Sequence, residues 1–250
     1  MNAKKLVSVF ATVAGFAILF SAWELAVRLF KVPKWLLPMP SAIFRTMIVN
    51  FWDFWPHILI TIETILLGFV IAVPIGLVLA SIITRSKFLS SALSPYITFL
   101  VTTPLITLVP LLMLVMGYGM EVRVVTVIIQ SFAVVNMNAC TGFLNVPVMR
   151  QELMQSMGAN AKQIYFKMAL PNAATDIFTG VRLSAIFATT ACISAEYVGG
   201  NMGLGSQIIK NSQFLKTTES FACIFYVAII GLILYALISL AQKKIVSWKI

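Results

Sequence analysis

Residues 147–171 read Pro-Val-Met-Arg-Gln-Glu-Leu-Met-Gln-Ser-Met-Gly-Ala-Asn-Ala-Lys-Gln-Ile-Tyr-Phe-Lys-Met-Ala-Leu-Pro, and this segment decides the interpretation of the whole chain. Its pattern predicts two short amphipathic helices separated by Gly158. Pro147 suits the first turn of a helix, because an N–H would have no partner there. Gly158 suits the left-handed residue that follows a helix end. A helix pair of this kind, projecting from a larger body, is typical of a segment that docks into a groove on a partner.

The second helix of this segment carries its own start and stop signals. Asn160, with Gln163 three residues later, resembles a capping box, in which each side chain accepts a hydrogen bond from the other residue's backbone N–H. Pro171 is expected to stop the helix before the next apolar run, because proline breaks the helical hydrogen-bond ladder. The segment therefore predicts a helix, a turn and a second helix.

The composition around this segment is that of an integral membrane protein. Of the 250 residues, 60% are hydrophobic and 10% are charged, whereas a soluble domain has about 45–50% apolar and about 25% charged residues. The net charge is +10, from 18 basic and 8 acidic residues. These basic residues are scattered between apolar runs, so they indicate the orientation bias of membrane loops and not a nucleic-acid surface.

Metal and disulfide chemistry have little support in the sequence. The three cysteines, at positions 140, 192 and 223, lie inside apolar runs and form no disulfide or zinc pattern. His57 is the single histidine, so a histidine-based metal site is not expected. We predict no catalytic residue and no metal ligand.

Six apolar runs are long enough to span a membrane, which needs about 20 residues. They predict an all-α membrane protein with a single transmembrane domain over residues 1–250. The first run is read as a retained span and not as a signal peptide, because it is long and no clean cleavage site follows it. The predicted spans are 6–29, 58–83, 94–116, 122–143, 174–198 and 220–242.

The distribution of basic residues favours both termini on the cytoplasmic side. In that orientation eleven basic residues fall in cytoplasmic segments and seven in outer ones. The cytoplasmic group is Lys4, Lys5, Arg85, Lys87, Arg150, Lys162, Lys167, Arg182, Lys243, Lys244 and Lys249. The outer group is Arg28, Lys31, Lys34, Arg45, Arg123, Lys210 and Lys216. No strong positive charge is then expected deep in the membrane, which argues against tight anion binding there.

Small and polar residues within the spans suggest how the helices pack. Gly68, Ala72, Gly76 and Ala80 recur every fourth residue, which predicts a seam where a second helix approaches closely. The third span contains Pro104 and Pro110, which are expected to interrupt it.

Four polar residues at membrane depth have two interpretations. Gln130 and Asn138 share one face of the fourth span, and Thr190 and Ser194 lie in the fifth. Polar side chains at this depth face protein or water. They either make hydrogen bonds between helices or line a path for a solute.

The spacing of Glu152, Gly158 and the pair Leu170-Pro171 resembles the EAA loop of type I ABC importer permeases, the binding-protein-dependent class. The chain departs from that pattern at Leu153 and Met154, where the family favours alanine, and at Met168, where it favours isoleucine. All three replacements are apolar. A second stretch, Ala195-Glu-Tyr-Val-Gly-Gly-Asn-Met-Gly-Leu-Gly205, resembles the nitrate, sulfonate, taurine and pyrimidine-precursor branch. The resemblance covers nearly the whole chain.

The resemblance implies a permease subunit of an ATP-driven importer in the cell membrane, with a cytoplasmic coupling loop. The partners it implies are a second permease copy, two cytoplasmic ATPase subunits, an extracytoplasmic solute-binding protein and the lipid bilayer, with no nucleic acid. The chain itself would bind no cofactor, and ATP and Mg would sit on the partner subunits. This fits the sequence, which contains no GxxxxGK[ST] phosphate loop.

Roles for individual residues follow from the same resemblance. The residues expected to dock the ATPase are Glu152, Gly158, Ala159, Lys162, Leu170 and Pro171. The solute path is assigned to Gln130, Asn138, Thr190 and Ser194. An outer gate or binding-protein contact is assigned to Glu196, Gly199, Gly200, Gly203 and Gly205.

Two other classes of function fit the sequence less well. A passive or ion-coupled carrier would need no ATPase, but such carriers often show internal repeats and charges within the membrane, and few are visible here. An intramembrane enzyme needs a nucleophile with a base or paired carboxylates at depth, and these are sparse.

Overall fold

The computed structural model describes the backbone of residues 3–246 and the side chains of residues 10–246. The side chains of Lys4 and Lys5, and all of Lys249, which entered the charge count above, lie outside these described residues. Within residues 3–246 the chain is helical and contains no strand. The helices are α1 (Ala3–Leu29), α2 (Pro40–Val49), α3 (Phe51–Ile83), α4 (Lys87–Thr102), α5 (Leu105–Met116), α6 (Met120–Leu144), α7 (Val148–Ser156), α8 (Ala161–Ile164), α9 (Leu170–Gly199), α10 (Leu204–Gln213) and α11 (Thr217–Ile245).

Five of the described helical segments are long and apolar enough to cross a membrane, and a bent pair gives a sixth candidate. The pair consists of α4 and α5, which meet at an angle of 98°. The helix breaks at Thr103 because the residue before a proline is driven out of the helical conformation. Pro110 lies inside α5 without ending it. The third predicted span is therefore two helices, interrupted at Pro104 only.

The centre of the bundle is formed by α3, α6 and α9, and the predicted seam lies where α3 meets α6. Gly68, Ala72, Gly76 and Ala80 are all buried. A Cβ atom added at Gly68 would lie 2.5 Å from Val127 Cγ1, so only glycine allows this approach. The sequence prediction of a packing seam is confirmed.

We expect the Gly76→Leu variant to lower the thermal unfolding midpoint strongly. A Cβ atom at this position would lie 2.8 Å from the backbone oxygen of Phe132, which cannot move independently of α6. Overpacking of this kind typically costs about 1–3 kcal/mol. The matched control is Gly15→Leu in α1, where nothing lies within 4 Å of an added Cβ atom. An equal loss of stability in both purified variants would contradict the seam.

The helix that follows residues 147–160 continues through Pro171, so the predicted stop at this residue is wrong. One helical segment runs from Ala161 to Gly199. A π-helical turn at Tyr165–Ala169 precedes the proline, and the Leu170 N–H donates to the Tyr165 carbonyl, five residues back. This wider turn gives room for the ring of Pro171, which in a regular α-helix would clash with the carbonyl four residues earlier.

The helical bundle has two distinct ends. The loop end carries residues 147–171 together with the ends of α3, α6 and α11. The far end carries the start of α10 and the last turn of α9.

Candidate functional site

The projecting segment, residues 147–171, is called the docking loop here, and its turn has the predicted geometry. Gly158 has a φ of +78°. Its N–H donates to the Gln155 carbonyl, and the Ala159 N–H donates to the Met154 carbonyl, both at 2.9 Å. This is the Schellman arrangement that ends a helix with a left-handed residue. The sequence prediction for Gly158 is confirmed.

The capping box at the start of α8 is also confirmed. The Asn160 N–H donates to Gln163 Oε1 at 2.8 Å, and the Gln163 N–H donates to Asn160 Oδ1 at 2.9 Å. These two bonds satisfy backbone donors that have no partner within the helix. They fix the direction in which α8, and with it α9, leaves the loop.

Helix α7 carries an apolar surface that the rest of the chain leaves open. Met149 and Leu153 are 81% and 59% exposed, and Met157, just after the helix, is also exposed. Glu152 is exposed as well, and the helical period places it beside Met149, at the edge of this apolar face. Met154, on the opposite side, is half-buried. A short helix with an unburied apolar face bordered by an exposed carboxylate is suited to enter a groove on another protein.

The other predicted docking residues differ in their exposure to solvent. Lys162 is exposed and lines a cleft of about 700 Å³ between the loop and the end of α3, together with Arg85 and Gln155. Ala159 and Pro171 are half-buried. Leu170 packs against the buried cluster of Ala80, Ala139, Ala173 and Ile177. Leu170 therefore anchors the loop to the bundle.

At the far end, Glu196 is fully buried and joins three helices. The Thr61 hydroxyl of α3 donates to Glu196 Oε1 at 2.8 Å. The N–H of Gly205, in the first turn of α10, donates to Glu196 Oε2 at 2.7 Å. Cys192, one turn earlier in α9, has its Sγ atom 3.5 Å from Oε1. The carboxyl group thus bonds to α3, α9 and α10 at once.

The start of α10 receives two further bonds from α3. The Leu204 N–H donates to Thr61 Oγ1 at 2.9 Å, and the Gly203 N–H donates to His57 Nδ1 at 3.2 Å. His57 and Thr61 are four residues apart and therefore lie on one face of α3. Together with Glu196 they satisfy N–H groups that a helix start leaves without partners. We call these three side chains and the start of α10 the Glu196 network.

Of the glycines assigned to an outer gate, Gly200, Gly203 and Gly205 pack directly against Glu196, whereas Gly199 faces the flexible end of the Met113 side chain. Gly203 has a φ of +109°, and an added Cβ atom would collide with the Glu196 carboxyl group. A Cβ atom at Gly205 would lie 2.8 Å from Glu196 Cβ, and one at Gly200 would lie 2.6 Å from the Glu196 carbonyl oxygen. At Gly199 a Cβ atom would collide with Met113. The glycines let the α9–α10 turn close tightly over the carboxyl group.

Sequence reasoning missed Thr61 and His57. Both are polar residues four apart in an apolar run, which is a weak signal of a shared polar contact. Their partners lie about 140 residues later in the chain, and nothing local indicates that pairing.

The four residues assigned to the solute path have different surroundings. Asn138 packs against Gly180 on the buried face of α9. Thr190 lies on the exposed face of α9, and its hydroxyl and that of Ser194 donate to carbonyls of their own helix. Gln130 is buried, and its Oε1 atom has no hydrogen-bond partner within the described residues. Asn136, which was not among these four, makes a hydrogen bond between α6 and α3 by donating to the Gly76 carbonyl at 3.1 Å.

Arg182 lies well inside the membrane-spanning part of α9, contrary to its assignment to a cytoplasmic segment. Its guanidinium lies 5.9 Å from the ring centre of Tyr235, which is ten residues before the end of α11, about 15 Å at 1.5 Å per residue. The neighbouring Gly180 faces Asn138, six residues before the end of α6, about 9 Å. A positive charge therefore lies within a helix that is a candidate membrane span.

Within residues 10–246, no group of three or more His, Cys, Asp or Glu residues could hold a metal ion. The three cysteines are free thiols. The features that stand out are therefore a projecting helix, a buried network at the opposite end and a charged residue between them.

This combination defines a class: a multi-pass α-helical membrane protein with an exposed docking loop. Residues 72–247 match the family model described as "Binding-protein-dependent transport system inner membrane component". The chain belongs to this family, the membrane permeases of ABC importers, as its sequence pattern indicated.

Known relatives and a solved structure agree with this assignment. The chain is 25% identical over 235 residues to the formylaminopyrimidine transport permease protein ThiX of Halalkalibacterium halodurans, covering 94% of each chain. It is 25% identical over 244 residues to the taurine transport system permease protein TauC of Escherichia coli, covering 95% of this chain and 89% of TauC. A solved amino acid ABC transporter has a similar fold, with a TM-score of 0.64 and 20% identity over 81% of this chain and 98% of its own.

Proposed function

We propose that this chain, as the permease subunit of an ATP-driven importer, docks separate ATPase subunits on α7. The observation that carries this proposal is the unburied apolar face of α7, which Glu152 borders. An exposed apolar helix at the end of a membrane protein costs free energy unless a partner covers it. ATP and Mg would be bound by those partner subunits and not by this chain.

Motion at the docking loop has a direct route to the far end. Ala161–Gly199 is one helical segment of 39 residues, which corresponds to about 58 Å at 1.5 Å per residue. The capping box fixes its first turn, and Glu196 bonds its last turn to α3 and α10. A tilt of the docking loop would therefore move the far end, which is what alternating access requires.

The remaining partners follow from the family and from the exposed surfaces. A second copy of the chain would cover the open face of α9, where Thr190 lies. An extracytoplasmic binding protein would deliver the solute at the far end, near Glu196 and the α9–α10 turn. The termini would then lie in the cytoplasm. The solute would be a sulfonate, nitrate, taurine, a pyrimidine or a similar small molecule.

We expect the Leu153→Asp variant to lose its ATPase subunits. The substitution places a charge in the apolar face that would enter the ATPase groove, and burying an unpaired charge costs several kcal/mol. The measurement is affinity purification of the tagged chain from its native membrane, followed by mass spectrometry of the partners. The wild-type chain is expected to recover an ATPase subunit, and the variant less than about one tenth of that amount, since 1.4 kcal/mol already gives a factor of ten.

The matched control is Leu36→Asp. Leu36 and Leu153 are both 59% exposed, and Leu36 lies between α1 and α2, away from the docking loop. This control is expected to recover the ATPase normally. Recovery of the wild-type chain alone, under conditions that keep another ABC importer intact, would contradict the proposal and favour a passive or ion-coupled carrier.

A further inference from the structure

Arg182 is a charged residue within a candidate membrane span, and its described contacts, one hydrogen bond and the ring of Tyr235, do not neutralise its charge. Its Nη2 atom donates to the Thr179 hydroxyl at 3.3 Å, and its Nε atom is buried without a hydrogen-bond partner. Within residues 10–246 the single ion pair joins Arg28 and Glu24, so no carboxylate neutralises Arg182. A guanidinium has five N–H donors, and most of these remain available.

The surroundings of Arg182 form a polar stripe along α9. Asn172, Thr175, Thr179 and Arg182 are spaced by three, four and three residues, which places them on one helical face. All four are half-buried. The Arg182 side chain bends toward Thr179, in the direction of the loop end. The next residue of the stripe in that direction is Thr175, whose hydroxyl is buried without a hydrogen-bond partner.

This face of α9 is unlike the lipid-facing surfaces of the bundle. The exposed residues of α3, for example, are mainly leucine, isoleucine and valine. A charged group within a membrane protein normally faces water, a ligand or a compensating charge, because burial in lipid is costly. A guanidinium and an unpaired hydroxyl, two turns apart on one helical face, are the kinds of donor that bind an oxyanion, which accepts several hydrogen bonds at once.

We infer that Arg182 and Thr175 form a binding site for an oxyanion, such as a sulfonate, nitrate or phosphate group, in the half of the helical bundle nearest the loop end. Two sources supply this chemistry: the transported solute and the phosphate of a lipid headgroup. If the solute is the source, the inference rests on the proposed importer function and selects an anionic solute. If a lipid is the source, it does not depend on that function.

The test uses the complex purified through a tag on this chain and placed in phosphatidylcholine nanodiscs. In the solute arm, nitrate and methanesulfonate are titrated, and the thermal unfolding midpoint is followed. In the lipid arm, the midpoint is compared between discs with and without phosphatidylglycerol. We expect the wild-type complex to be stabilised in one arm. The Arg182→Gln variant should bind that anion about tenfold more weakly, because a neutral amide cannot replace the guanidinium.

Two further variants separate binding from folding. The Thr175→Val variant keeps the charge and removes the available hydroxyl, so it should weaken the same anion effect severalfold even if Arg182→Gln fails to fold. Arg123→Gln is the matched control. Arg123 is another half-buried arginine, but its guanidinium already donates to the carbonyls of Gly119 and Met202. It should keep the full anion effect.

The inference is overturned if no probe stabilises the wild-type complex in either arm. It is also overturned if the Arg182→Gln and Thr175→Val variants respond like the wild type. Recovery of ATPase subunits is measured in the same preparations. Normal ATPase recovery without any anion effect therefore removes the anion site and leaves the importer function standing.

Discussion

The Gly158→Trp variant is expected to lose its ATPase subunits and the associated ATP hydrolysis while it still inserts and folds. Gly158 adopts a φ of +78°, which costs other residues about 1–2 kcal/mol. No atom lies within 4 Å of an added Cβ atom, so the membrane domain has no reason to misfold. The indole side chain would instead lie beside the end of α7, on the surface that we propose enters the ATPase groove. The measurements are partner recovery, ATP hydrolysis by the purified complex and the elution profile of the chain.

The matched control for this change is Gly117→Trp. Gly117 is also exposed, has a φ of +81° and has nothing within 4 Å of an added Cβ atom. It lies at the end of α5, on the far side of the bundle from the docking loop. We expect this variant to keep its ATPase. Equal losses in both variants, or normal hydrolysis by Gly158→Trp, would show that the loop is not the docking surface.

The Glu196→Leu variant is expected to lose most of its folded stability. Leucine removes the acceptor of the Gly205 N–H and of the Thr61 hydroxyl, inside a fully buried site. A buried donor left without a partner costs about 1–3 kcal/mol, and here there are two. The Glu196→Gln variant keeps one carbonyl oxygen and should be affected less. The measurement is the thermal unfolding midpoint of the purified chain.

Glu63→Leu provides the control for this second prediction. Glu63 lies on α3 two residues after Thr61, but it is exposed and makes no hydrogen bond or ion pair within the described residues. The same substitution there should leave the midpoint unchanged. If the two variants unfold at the same temperature, the Glu196 network does not hold the far end together.

Local features of the docking loop could be predicted because they depend on residues that are close in sequence. The left-handed Gly158 and the capping box of Asn160 and Gln163 each involve residues within a single turn of chain. The stop at Pro171 failed for a related reason. The rule that proline ends a helix assumes a regular α-helix. The π-helical turn at Tyr165–Ala169 widens the helix just before Pro171, so the proline is accommodated.

The sequence by itself determined the membrane class, the apolar runs, the small-residue seam and the form of the docking loop. Only the tertiary structure decided that Glu196 meets Thr61 and the start of α10, and that Asn138 packs on the buried face of α9 whereas Thr190 lies on its exposed face. It also decided that Arg182 has no carboxylate partner within the described residues. The physical reason is that hydropathy and turn signals act locally. The rotation and depth of each helix are set by close packing with helices far away in sequence, and these determine which polar groups meet.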